Sequence, residues 1–118
     1  MARPAPERDP ADLLPLTPAL FHVMLSLADG EKHGYAILKE VQQRTGGEVQ
    51  LSTGTLYGII KRLLADGMIR DSVAGSDARR RAYRLTAFGR KVAFAEAERL
   101  SHLVAAAYAK KLLVNPAL

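Results

Sequence analysis

The chain has no cysteine and no tryptophan, and aromatic residues make up only 6% of its 118 positions. Without cysteine there is no disulfide scaffold, no thiol nucleophile and no thiolate-ligated zinc or iron–sulfur site. Without tryptophan, any pocket must be walled by Tyr, Phe, Met or aliphatic side chains. No apolar run approaches the roughly 20 residues needed to span a bilayer, so no membrane partner is expected. The N-terminal MARPAPERDPADLL carries acids where an export signal needs an apolar centre, and the expectation is a cytoplasmic protein. His22, His33 and His102 fall on different segments without metal-ligand spacing. No glycine-rich phosphate loop is present, and no His or acid arrangement surrounds Ser52. The sequence therefore predicts no enzyme, no catalytic residue, no metal and no cofactor.

What is present is an ordinary soluble composition, 48% hydrophobic and 25% charged, enough for one modest core. The net charge of +5 is unevenly spread. Residues 51–91 hold nine basic side chains (Lys61, Arg62, Arg70, Arg79, Arg80, Arg81, Arg84, Arg90, Lys91) against Asp66, Asp71 and Asp77, a net of +6. One basic segment in an otherwise balanced chain is the footprint of a nucleic-acid partner, although uneven surface charge alone has the same look.

Punctuation divides the chain into elements. Four prolines and five charges in residues 1–15 predict a flexible arm that neither forms a helix nor packs. Within it, Arg3 and Arg8 are minor candidates for a DNA groove. Thr17 and Pro18 open a first helix that is apolar nearly all round and stops at Asp29-Gly30. A second helix follows His33-Gly34 and ends at Gly46-Gly47, and Glu48–Leu51 is a short extended link. Ser52 caps a third helix, Thr53 to Asp66, whose Leu56, Ile59, Ile60, Leu63 and Leu64 form a core-facing stripe. Met68–Val73 and Ala82–Leu85 read as strands of a two-stranded hairpin around a basic loop. Thr86 caps a last helix of about 28 residues, about 40 Å long, whose apolar face outruns the domain and predicts a second copy of the chain as partner.

The fold class is thus mainly α with a small β-hairpin, an α+β chain. It is organised as an arm (1–15), a winged helix-turn-helix (16–86) and a long C-terminal helix (87–118). In that architecture the third helix enters the major groove of double-stranded DNA and the hairpin reaches the flanking backbone or minor groove.

Three strings carry a family resemblance: HGYAILKEVQQRTGG, LSTGTLYGIIKRLLADGMI and DARRRAYRLTAFGRKV. Within them, His33-Gly34-Tyr35, Gly54-Thr55-Leu56-Tyr57, Lys61-Arg62-Leu63 and Tyr83-Arg84-Leu85-Thr86 with Gly89 stand in the order and spacing of the PadR-like family of bacterial transcriptional regulators. The chain resembles that family over about residues 17–95, and the single C-terminal helix is similar to its compact branch. The resemblance implies a winged-helix homodimer that binds operator DNA, usually as a repressor. Thr53 departs from it, standing where many relatives carry Pro. The aromatic-drug mode of some compact relatives, built on an interface Trp, does not carry over.

Each candidate DNA contact has a plainer alternative. Tyr57 offers its hydroxyl to a phosphate or base edge, or packs at a helix margin. Ser52, Thr53 and Thr55 offer hydroxyls and N–H groups to phosphate, or simply cap the helix. Gly54 and Gly58 thin the outer face of the helix, at about 1 kcal/mol each relative to Ala, and allow close approach. Lys61 suits a phosphate, whereas Arg62 pairs with Asp66 at i+4. Arg79, Arg80 and Arg81 supply the wing's charge, of which alternation along a strand lets one or two reach one groove. Tyr35 serves either a phosphate or the core. For dimerisation the candidates are Val92, Leu100, Leu103, Val104, Ala107, Tyr108 and Leu112. Their interface either encloses a small apolar effector or, being alanine-rich, closes tightly. The rival reading is a winged-helix protein–protein interaction module without specific DNA binding.

Overall fold

The computed structural model describes residues 8–72 and 81–114. Among them the order is helix α1 (Pro18–Ser26), strand β1 (Lys32–His33), α2 (Gly34–Arg44), α3 (Thr53–Ala65), β2 (Ile69–Asp71), β3 (Ala82–Leu85) and α4 (Ala87–Ala109).

The helix starts are built as the sequence predicts. Thr17 Oγ1 accepts from the Leu20 N–H, Ser52 Oγ from Thr55, and Thr86 Oγ1 from Gly89, each satisfying a donor that the helix leaves unpaired. The ends use backbone that glycine adopts readily: Gly46, Gly47 and Gly67 have φ of 62°, 85° and 72°. Leu20, Val23, Met24 and Leu27 of the first helical segment meet Ile37 and Val41 of α2 and Leu56, Ile60 and Leu63 of α3 in one core. Ile59 and Leu64, the other two members of the α3 stripe, are half-buried at its edge.

The sheet differs from the expected two-stranded hairpin. Its order is β1-β3-β2, all antiparallel, with Lys32 opposite Tyr83 and His33 opposite Ala82. The extra strand is only two residues long, too short to show alternation, and it exists because the extended entry to α2 passes along β3. The β2–β3 register places Ile69 opposite Leu85, Arg70 opposite Arg84 and Asp71 opposite Tyr83. Ile69 and Tyr83 face the core.

A tight junction joins α3, the sheet and α4. Thr86 donates its hydroxyl to the Gly67 carbonyl at 2.6 Å and its N–H to Met68 O at 3.0 Å. Gly89 then lies so close to Met68 that a Cβ there would sit 1.8 Å from the carbonyl oxygen.

The N-terminal segment is the clearest correction. From residue 8 on it is not a free arm: Pro10–Leu13 forms a 3-10 turn capped by Asp9, packed along α4. Proline suits a first helical turn, and the short period of this turn brings Leu13 and Leu14 onto the core. Leu16 N–H donates to Glu96 Oε2 at 2.8 Å. Arg8 donates to the Asp66 carbonyl at 2.6 Å and lies 5.6 Å from the Phe88 ring centre, so it is engaged within the chain rather than offered to DNA. Arg3 lies outside the described residues.

Helix α4 is 23 residues rather than 28, about 35 Å at 1.5 Å per residue. It ends where Lys111 turns to φ 64° and the Leu112 N–H returns to Ala107 O. Among the described residues no helix is long and apolar enough to cross a membrane.

Candidate nucleic-acid interface

The α2–turn–α3 unit presents one continuous polar face. Gly54, Thr55, Gly58, Lys61 and Arg62 are all exposed on the side of α3 away from Leu56, Ile60 and Leu63, and Thr53 is exposed at the helix start. A Cβ at Gly54 or Gly58 would meet nothing within 4 Å, so neither glycine is required by packing within the chain. Two helix-interior glycines, at about 1 kcal/mol each relative to Ala, thus leave a shallow strip of exposed backbone.

Ser52 and Thr55 form a small hydroxyl relay. Ser52 Oγ accepts from the Thr55 N–H at 3.0 Å and donates to Thr55 Oγ1 at 2.9 Å. Thr55 keeps its own proton for an outside acceptor, whereas the Ser52 hydroxyl is spent on the cap. Thr53, next to it, is free of such a tie. Lys61 makes no ion pair among the described residues, and Arg62 pairs with Asp66 at 3.9 Å.

The Tyr57 side chain lies at the seam of α2 and α3. It is 40% exposed, and its hydroxyl rests on the start of α2, where a Cβ on Gly34 would lie 2.9 Å away. The hydroxyl therefore fills the notch that Gly34 leaves, at the seam of the two helices. Tyr35, 70% exposed in the first turn of α2, points away from the core, with Lys39 Nζ 5.4 Å from its ring centre. Tyr35 and Lys39 are both exposed on α2. Lys39 was not singled out in the sequence, where it read as one of several polar residues on α2.

Of the wing arginines, Arg81 is described: it is exposed, with Nη1 3.6 Å from Asp71 Oδ2 across the hairpin. Arg79 and Arg80 lie outside the described residues. His33 Nδ1 is 3.3 Å from the Arg81 carbonyl, which ties the wing's base to the start of α2. His22 is half-buried beside Arg44. Burial first, then the Arg44 charge, lowers its pKa below the usual 6.5. Among the described residues no group of three or more His, Asp or Glu could hold a metal ion.

The second surface is α4 past residue 96. Leu100, Leu103, Val104 and Tyr108 are exposed along one broad face, with Ala107 half-buried beside them. Phe94, 68% exposed, stands about half a turn round α4 from Leu103 and so on another side of the helix, and the sequence pattern did not single it out. Val92 does not belong to it. It is fully buried in the chain's own core, because the first turns of α4 pack on α1 and the sheet. Leu112 is exposed but lies past the end of the helix, in the turn after Lys111. Glu96 closes the core end of this face. It is 1% exposed, held by Leu16 N–H and paired with Arg99. No period in the sequence marks it, since a Glu on a helix normally reads as surface.

The transcriptional regulator PadR-like family matches the chain over residues 23–95. A 37.1 kDa transposon-encoded protein of Streptomyces fradiae is 37% identical over 81 residues, covering 69% of this chain. The chain spans 22% of that protein's length. Among solved structures, a transcriptional regulator from Clostridium thermocellum superposes with a TM-score of 0.63 at 23% identity, covering 81% of this chain and 92% of the other. Bacillus subtilis PadR in complex with operator DNA superposes with a TM-score of 0.57 at 23% identity, covering 73% and 48%. These likenesses agree with the winged-helix architecture of four helices and a small antiparallel sheet.

Proposed function

Because the chain belongs to the PadR-like family of transcriptional regulators, we propose that it is a homodimeric repressor that binds an inverted-repeat operator in double-stranded DNA. It would act in the cytoplasm by occupying a promoter, with no chemical step. The observation that carries this reading is the exposed face of α3. Gly54 and Gly58 remove side chains where nothing within the chain needs the space, between the free donors of Thr53, Thr55 and Lys61. A face of that shape suits the edge of a base pair or a phosphate strand better than it suits water alone.

In this reading Thr53, Thr55 and Lys61 approach the major groove and its phosphates. Tyr35 and Lys39 touch the backbone from α2, and Arg81 with its neighbours in the wing reaches the flanking strand. Tyr57 is a positioning residue that sets the α2–α3 angle, while Ser52 holds the helix start. Leu100, Leu103, Val104, Ala107 and Tyr108 pair with the same residues of a second copy. Two copies would then place their third helices in successive major grooves, about 10 base pairs apart. That Bacillus subtilis PadR, a similar fold, binds operator DNA supports DNA as the partner.

Selection of duplexes from a randomised pool by the purified protein, at near-physiological salt, tests it. Enrichment of an inverted repeat with half-sites about 10 base pairs apart is the expected result. Recovery of unenriched DNA would overturn sequence-specific recognition. Recovery of none would transfer the reading to a protein-interaction module.

A further inference from the structure

On the outer side of the sheet lies a cleft of about 770 Å³ that the DNA-facing residues do not line. Arg70 of β2, Arg84 of β3 and Arg90 of α4 line it, together with Glu31, Leu85 and Thr86. Arg70 and Arg84 stand directly opposite each other in the antiparallel register. Directly opposed side chains share one face, with Cβ atoms about 5 Å apart, and like charges so placed destabilise a sheet.

Among the described residues no ion pair relieves that repulsion. Both arginines are exposed, and among the described residues neither side chain has an ion pair or a hydrogen bond. Asp71, the next residue along β2, faces Arg81 instead. Glu31 shares the cleft but forms no ion pair with any of the three. Arg90 is anchored at its place, its Nη1 donating to the Ala28 carbonyl at 3.2 Å. Arginines from three elements therefore line one cleft with one carboxylate, a net charge of +2. Guanidinium groups offer paired N–H donors that fit carboxylate and phosphate oxygens two at a time.

We propose that this cleft binds a small dianion, a phosphate ester or a dicarboxylate, gripped between Arg70 and Arg84 and closed by Arg90. The bound anion converts an unfavourable cross-strand pair into a chelate and ties the base of the wing to the first turn of α4. The site is set apart from the wing loop. Lys32 and His33 pair with Tyr83 and Ala82 at the loop end of β3, whereas Arg84 and Leu85 lie toward α4.

Thermal melts and calorimetric titrations of the full chain with inorganic phosphate and with succinate test the proposal, against chloride at matched ionic strength. No DNA is present, so failure here leaves the repressor reading untouched. Phosphate or succinate is expected to bind saturably and to raise the melting temperature beyond chloride. The double variant Arg70→Gln/Arg84→Gln should melt no lower than the parent in the absence of anion, since a repulsion is removed, and should lose at least about ten-fold in anion affinity. Arg62→Gln, an exposed arginine elsewhere, should bind as the parent does. Equal effects of phosphate, succinate and chloride would overturn the site, as would full retention of binding in the double variant. Loss of duplex affinity in the double variant, with no small-anion binding by the parent, would also overturn it and assign these arginines to the DNA backbone.

Discussion

At Gly89 a methyl group would lie 1.8 Å from the Met68 carbonyl oxygen, and that oxygen is fixed by the Thr86 N–H. Backbone cannot swing aside as a side chain can, so Gly89→Ala should cost about 3 kcal/mol or more, read as a shift of the urea midpoint or failure to fold. Gly54 carries the same missing side chain for the opposite reason. A Cβ there meets open space, and its backbone is helical. Gly54→Ala should therefore stabilise the chain by about 1 kcal/mol in the same melts. In duplex titrations it should weaken binding, because the methyl group stands between α3 and the groove. A variant that is more stable and binds DNA unchanged would take the N-terminal half of α3 out of the interface. The two glycines are alike in sequence, and only their neighbours in space separate them.

Among the elements, α4 shows what the sequence made legible and what it did not. Its cap at Thr86 and its overlong apolar face were readable, because capping and 3.6-residue spacing are local. The burial of Glu96 was not, because Leu16, whose N–H holds its carboxylate, lies 80 residues away, just after the proline-rich arm. For the same reason β1 was missed, since a two-residue strand is created by its neighbour and not by its own pattern. On α3 the spacing correctly placed Leu56, Ile60 and Leu63 inside. It could not show that the Tyr57 hydroxyl turns back onto Gly34. The Glu96 contact has a pH signature. The Arg99 hydrogen bond, followed by that from Leu16 N–H, holds the carboxyl below its ordinary 4.5 against the opposing pull of burial. The unfolded chain then binds the proton more readily than the folded one, so this contribution is present above pH 4.5 and is lost as pH falls through the lower, folded value. Asp29, held low by Lys32, acts in the same direction. The difference between parent and Glu96→Gln isolates the Glu96 part. The variant should melt lower at pH 7, and the gap should close on acidification below 4.5. A gap that stays constant down to pH 3 would remove the carboxylate from the fold's stability.

For the whole molecule, the radius of gyration is 16.4 Å, against about 13 Å for a compact chain of this size. Helix α4 contributes to the excess, since its distal half leaves the core with Leu103 56% exposed. Leu103→Glu leaves the monomer's own core intact and should convert a dimer to a folded monomer in sedimentation, with circular dichroism little changed. If two copies bind DNA together, each supplies half of the charge, and loss of the dimer should weaken DNA binding as well. If a dimer neutralises about eight phosphates, log K should fall with log salt at a slope near −7. Lys61→Ala removes one contact per copy and so should make that slope shallower by about 2, with equal loss on specific and random duplexes. Thr55→Ala removes a hydroxyl that carries no charge. It should leave the slope alone and weaken the specific site more than random DNA. A Lys61→Ala slope equal to that of the parent would mean that this lysine stays in water when DNA binds, and the phosphate contacts would then have to come from α2 and the wing.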